Sequence, residues 1–393
     1  MDDAVIVGYA RTPIGRFQAG LAPLTAMQLG GAAVAAALER AGVAVGRVDQ
    51  VFMGHVIQAG QGQITARQAA RHAHIGMDVP ATTINKVCLS GTSAVALAAQ
   101  QIQLGEADVV VAGGMESMSN GPYLLSRARG GYRMGDAETV DATVHDGLWC
   151  AFDDAHMGAG SDRSNERYGI DRVRQDAWAA RSHERAADAW KNGRFGEEVV
   201  PVEVPQRRGD PVQVDADEGV RADTTAESLS HLRPAFSSDG TITAGNASQF
   251  SDGAAALVLM SAARAPELGI EPLGRIVAYG TVAGPDPSLH HQPAAAVRRA
   301  AAKVDLPPDG FDVYEINEAF AAVAICSTDL LGVDEDRVNP SGGAVALGHP
   351  IGCTGARLVG TTLLELRRRG GGRGVASLCG GGGQGDALIV EVS

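Results

Sequence analysis

The chain has 393 residues, 45% hydrophobic and 20% charged, enough for two or three compact units that each bury a full core. No apolar run approaches the roughly 18 residues of a membrane span, and a formal charge of -13 with no basic stripe disfavours nucleic acid as a partner. Five cysteines without a Cys-x-x-Cys pair argue against a disulfide framework and a zinc ribbon, and the start Met1-Asp2-Asp3 lacks a basic leader, so a cytoplasmic location is expected.

Ala4-Val5-Ile6-Val7-Gly8 predicts a strand, followed by an alanine-rich helix from about Thr25 to Ala41 that Gly42 closes. A second strand is expected near Val51 to Met53. After Cys88 the pattern turns helical to about Leu104, and Gly105 ends it. Asp108 to Ala112 then reads as a buried parallel strand that enters a glycine turn at Gly113-Gly114. Residues 119 to 250 differ in character: they hold ten of the seventeen aromatics, including Trp149, Trp178 and Trp190. With a charge-rich helix near Arg172 to Asn192 and a polar run from Gln206 to Glu218, this stretch reads as an inserted lid with a small core of its own.

The C-terminal stretch repeats the earlier plan. A loop from Gly348 to Ala356 leads into a helix to about Arg369, Gly370 to Gly372 follow, and strand Val375 to Cys379 enters Gly380 to Gly383. The two copies imply an internally duplicated α/β unit, with equivalent loops facing one another. The expected division is a first half of residues 1–118 plus 251–268, an insertion at 119–250, and a second half at 269–393.

Four positions stand out chemically. Cys88 lies where a strand-like segment meets a helix, so helix amides and dipole favour a thiolate; the competing reading is a small buried hydrophobe. Cys379 ends a buried strand, where α/β folds place ligands, and the glycines after it expose amides suited to an oxyanion. Gly380, Gly382 and Gly385 formally fit a dinucleotide pattern, but a strand follows instead of a helix. His349 occupies the counterpart of the Cys88 loop and is either its base or a turn histidine bonded to backbone. Asn317 either caps a helix or orients a water or substrate oxygen. His72, His74, His290 and His291 read as surface or oligomer residues.

Taken together, Asn-Lys-Val-Cys-Leu-Ser-Gly at 85 to 91, Asn-Glu-Ala-Phe-Ala-Ala at 317 to 322, Gly-His-Pro-Ile-Gly at 348 to 352 and Leu-Cys-Gly-Gly-Gly-Gly at 378 to 383 resemble the signature set of the thiolase family. His-Met-Gly at 156 to 158 and Gly-Asn-Ala-Ser at 245 to 248 are similar to its coenzyme A loops. The resemblance implies two similar five-stranded αβαβα halves with an inserted loop domain, assembled as a homodimer or homotetramer. It implies Cys88 as acyl-thioester nucleophile activated by His349, and Cys379 as acid and base. Asn317, through a water, and His349 would face an enolate oxygen, while the amides of Cys88 and Gly381 would face the acyl oxyanion.

For coenzyme A it implies contacts from Leu148, His156, Met157, Arg221, Ser228, Phe236, Ala244, Ala247, Ser248, Ala319 and Phe320. Coenzyme A thioesters are then substrates, and no metal or redox cofactor is expected. The implied activity is reversible condensation of two acetyl-CoA to acetoacetyl-CoA and CoA, within fatty acid metabolism. A degradative thiolase acting on longer 3-ketoacyl chains is the alternative, and a non-catalytic acyl-CoA binding protein a weaker one. Gln249 and His290-His291 depart from the family pattern near the acyl site.

Overall fold

The computed structural model describes residues 3–393, so Met1 and Asp2, which entered the reading of the chain's start, lie outside the described residues. The first half contains β1 (Ala4–Arg11), α1 (Ala26–Ala41), β2 (Gln50–Gly54), α2 (Thr65–His72), β3 (Ala81–Ile84), α3 (Ser90–Gln103) and β4 (Val109–Ser117). The ends of α1 follow from sequence: Thr25 and Gln28 form a reciprocal capping box, and Gly42 takes the left-handed conformation that closes the helix. After the insertion, which carries α4 (Met157–Tyr168) and α5 (Arg172–Lys191), β5 (Ser251–Ser261) returns to the first half. The second half comprises β6 (Gly274–Ala283), α6 (Gln292–Ala301), β7 (Val313–Ile316), α7 (Ala321–Leu331), α8 (Ile351–Arg368), β8 (Gly372–Gly380) and β9 (Gln384–Val392).

The strands form one sheet in the order β7-β8-β9-β6-β1-β5-β4-β2-β3, with Gly15–Arg16 added beside β5. The duplication is explicit in the pairing. In the first half β2 lies parallel to β4, β4 antiparallel to β5, and β5 antiparallel to β1. In the second, β7 lies parallel to β8, β8 antiparallel to β9, and β9 antiparallel to β6. Among the described residues, the outer strand β3 of the first half has as its counterpart only a parallel bridge between Tyr314 and Val338, so the halves hold five strands and four rather than five each. They join through two residue pairs, Val5 with Arg275 and Ile6 with Gly274.

Helices α3 and α8 pack on each other between the two halves of the sheet, while α1 and α2 cover one outer face and α6 and α7 the other. This is the αβαβα layering. The innermost core joins both halves, from Ile6, Phe52 and Leu89 to Val359, Leu378 and Leu388. Two loops that precede α3 and α8 are thereby brought to one place.

Two expectations are corrected. Gly113 and Gly114 do not form a turn but lie inside β4. A Cβ on Gly114 would sit 1.9 Å from the carbonyl oxygen of Gly352, so glycine is there because the start of α8 presses onto the strand. The insertion, second, does not have a core of its own among the described residues. Ile170, Trp178 and Leu229 join the outer core of the second half, Val202 and Val204 that of the first, and Phe195 and Val199 pack with Ile14 and Leu347. Its apolar residues are too scattered to close on themselves, so they use the scaffold as the other wall. Buried Arg11 fastens the arrangement, bidentate to Asp217 at 2.6 and 2.9 Å and 2.7 Å from Glu198.

Candidate active site

Cys88 is buried and immediately precedes Leu89, the residue that caps α3. Val87 before it has φ of 51°, a left-handed conformation that a β-branched residue adopts only under constraint. The constraints are visible. Ser90 Oγ accepts from the Lys86 amide at 2.8 Å and donates to the Val87 carbonyl at 2.6 Å, and Asn85 Oδ1 accepts from the Val87 amide at 3.1 Å. The second half holds the same loop: Lys86 Nζ reaches the fully buried Asp386 at 2.8 Å, whose other oxygen accepts from Ser93 Oγ at 3.1 Å.

This clamp makes a testable statement. Lys86→Met strands a carboxylate in the core, at a cost of up to about 3 kcal/mol, whereas the double variant Lys86→Met/Asp386→Asn removes both charges. In urea unfolding the single variant is expected to be the less stable of the two. Equal stability of single and double variants would show that the pair does not hold the loop.

His349 lies in the loop before α8 and is also buried. Its Nδ1 is 2.6 Å from Thr354 Oγ1, and that hydroxyl donates to the Pro350 carbonyl at 3.1 Å. The threonine proton being spent on Pro350, Nδ1 carries the hydrogen and Nε2 keeps its lone pair, an assignment made from the network. Asn317 Nδ2 donates to that Nε2 at 3.4 Å. Burial, aided by the nearby Arg357 charge, pushes the imidazole down to about 3, so it is a neutral base. Asn317 does not cap α7, which starts at Ala321 with Phe320 in the cap position. Instead its Oδ1, although buried, accepts from no group among the described residues, and its backbone amide is tied to Ser377 O at 2.9 Å. Buried Glu116 fixes the approach of α8, accepting from the amides of Gly352, Val56 and Ile57 at 3.0, 3.1 and 3.1 Å.

Cys379 is the penultimate residue of β8 and is 1% exposed. The backbone amides of Cys88 and Gly381 favour negative charge on the Cys88 sulfur. Burial still dominates, pushing the Cys88 thiol up to about 12 and the Cys379 thiol well above its ordinary value, the latter further raised by the neighbouring Cys88. Both thiols therefore rest protonated beside a neutral imidazole. Cys88, Cys379, His349 and Gly381 line one cavity of about 590 Å³, counting its opening to solvent.

Of the residues expected at coenzyme A, Leu148, His156, Met157 and Phe236 line this cavity, as do Ala247, Ser248, Ala319 and Phe320. His156 caps α4 by accepting from the Gly158 amide and stacks on Phe236 with ring centres 4.5 Å apart. Arg221, Ser228 and Ala244 are exposed and outside it. Met118, Phe250, Leu289 and Ile351 also line the cavity and were missed, since scattered apolar residues carry no local signal of a site. Gln249 lines it too, but its amide nitrogen donates to the carbonyls of Gly219, Val345 and Ala346. His290 is a correction: it is fully buried, not on the surface. His72 and His74 are exposed, and His291 is half-buried.

Family models for "Thiolase, N-terminal domain" and "Thiolase, C-terminal domain" match residues 4–263 and 270–392. A "Probable acetyl-CoA acetyltransferase" of Mycolicibacterium smegmatis is 54% identical over 98% of this chain and 100% of that protein. An "Acetyl-CoA acetyltransferase" of Pseudomonas aeruginosa is 50% identical over 99% of each. The crystal structure of the Bacillus anthracis acetyl-CoA acetyltransferase superposes with a TM-score of 0.97 at 44% identity, covering 100% of this chain and 99% of the other.

Proposed function

The chain belongs to the thiolase family, and from that premise we propose that it joins two acetyl-CoA into acetoacetyl-CoA and CoA, reversibly, as an acetyl-CoA C-acetyltransferase. The observation that carries the reading is the convergence of Cys88, Cys379 and His349 on one cavity, where the Cys88 and Gly381 amides favour negative charge on the Cys88 sulfur.

The proton inventory closes with these groups alone. Cys88 Sγ attacks the thioester carbonyl of the first acetyl-CoA and passes its proton to His349 Nε2, while the Cys88 and Gly381 amides receive the oxyanion. The bond to the CoA sulfur breaks, and that sulfur takes the Cys379 proton, leaving acetyl-Cys88 and a Cys379 thiolate. The thiolate removes the α-proton of a second acetyl-CoA, whose enolate oxygen is met by the His349 imidazolium and by a water on Asn317 Oδ1. The enolate carbon attacks acetyl-Cys88, acetoacetyl-CoA leaves, and Cys88 recovers its proton from His349. Each donor aimed at developing charge contributes about 3 kcal/mol. Coenzyme A thioesters enter as substrates, and no step as written calls for a metal or redox cofactor.

The same reading places the protein in the cytoplasm, in fatty acid metabolism, as a homodimer or homotetramer. No helix among the described residues is long and apolar enough to cross a membrane. The open edge of β3 and the exposed Tyr123, Leu125 and Met134 support self-association.

Mass spectrometry of the intact protein after brief exposure to acetoacetyl-CoA tests the reading. The expected result is one acetyl adduct, mapped to Cys88 and missing in Cys88→Ala. A folded protein that takes up no acetyl group, or takes it elsewhere, sinks the assignment.

A further inference from the structure

The cavity that holds the two sulfurs shares a wall with another. His156, Met157 and Leu289 line both, and the second, about 800 Å³ including its solvent opening, extends between α4 and the turns at Pro287 and Gly382. Met157 is the first residue of α4, and Leu289 sits in the loop before α6. Leu289 packs with Cys379, Ala319 and Phe320, so the partition stands beside the reacting atoms.

The next residue, His290, ties that loop down. Its Nε2 is 2.7 Å from Asn165 Oδ1 on α4, and its ring lies parallel to Tyr168, also on α4, with centres 5.8 Å apart. Asn165 Nδ2 is itself committed to Thr241 Oγ1 at 2.8 Å, which sets the amide so that its oxygen faces the imidazole. From behind, Ser327 Oγ donates to the His290 carbonyl at 2.9 Å, and Tyr168 and Ser288 approach His291 Nδ1 at 3.3 and 3.4 Å. Burial keeps His290 neutral, pushed down to about 3, with the ring hydrogen on Nε2, where it is donated to Asn165 Oδ1. The two sides of the partition, α4 and the Leu289 loop, are thus fastened directly to each other.

We propose that His290 sets the acyl-chain limit: by bonding Asn165 it holds Leu289 against Met157, and the wall so formed denies the alkyl end of a medium-chain 3-ketoacyl-CoA the cavity behind it. The inference rests on the thiolase reading above and names the substrate class that reading leaves open. His290 is a positioning residue here, acting through Leu289. A hydrophobic wall discriminates by one or a few methylenes, which is worth about ten- to two-hundredfold.

The test compares thiolysis of acetoacetyl-CoA and of 3-ketohexanoyl-CoA by wild type, His290→Ala, His290→Gln and Leu289→Ala, each checked for a cooperative melt. The ratio of kcat/KM for the longer substrate to that for the shorter is expected to rise about tenfold or more in His290→Ala and Leu289→Ala. It should stay at the wild-type value in His290→Gln, whose amide nitrogen reaches Asn165 as the imidazole does. An unchanged ratio in Leu289→Ala, or a folded His290→Ala that loses both substrates in proportion, overturns the proposal. A folded wild type inactive on both substrates sinks instead the thiolase reading beneath it.

Discussion

Cys379→Ala is expected to keep accepting an acetyl group on Cys88 from acetyl-CoA while losing carbon–carbon bond formation by ~10²–10⁴-fold. The split follows from where a proton is indispensable. In the acylation half, the group expelled is a thiolate, whose conjugate acid has a pKa of about 8.5, so it departs without protonation at modest cost. The condensation half needs a base for a weak carbon acid, and the buried Cys379 sulfur, raised by its surroundings, is a strong one. Two measurements separate the halves: exchange of labelled CoA into acetyl-CoA, which needs only Cys88 acylation, and acetoacetyl-CoA formation, which needs both. Parallel loss of the two would mean that Cys379 supports the site's shape instead of moving the α-proton. Cys379→Ser sharpens the contrast, because it keeps the branching of the side chain but replaces a thiol by a far weaker acid.

How far the site could be read in advance depended on the range of the interactions that build it. The first strand, the start of α1 near Thr25 and the end of α8 near Arg368 are local, and the sequence patterns place them within a few residues. The facing of the Cys88 and His349 loops is not local, but the duplication made it legible: two copies of one α/β unit, packed through α3 and α8, bring equivalent loops together. What stayed hidden were contacts between distant segments with no repeat to announce them. Gly114 reads as a turn glycine until Gly352 is seen against it. Thr354, which sets the His349 tautomer, looks like any first-turn threonine. His290 reads as a surface or oligomer residue because no carboxylate or thiol stands at a supporting spacing, whereas its partner Asn165 lies 125 residues away. The insertion looked self-sufficient from its aromatics, yet Trp178 and Phe195 each bury against the halves, a partition composition does not encode.

His349→Ala, in contrast to the Cys379 variant, is expected to abolish both exchange and condensation, with turnover down by at least ~10⁴-fold. The other imidazole on the cavity wall, His156, spends the lone pair of Nδ1 on the Gly158 amide and stacks its ring on Phe236. With the Cys88 thiol held up to about 12 by burial, attack without a proton acceptor would require a thiolate that is almost unpopulated at neutral pH. In the proposed reaction the imidazolium formed in the first half is the charge that faces the enolate in the second, so one substitution would remove a base from one step and an electrostatic stabiliser from the other. Thr354→Val probes the same point without deleting the ring. With the hydroxyl gone, Nδ1 has no acceptor, the hydrogen is free to move to Nε2, and Nε2 loses the lone pair that would take the Cys88 proton. The expected order of exchange rates is wild type, then Thr354→Val, then His349→Ala. Exchange at the wild-type rate in His349→Ala would show that Cys88 gives its proton to some other group and would remove the imidazole from the mechanism.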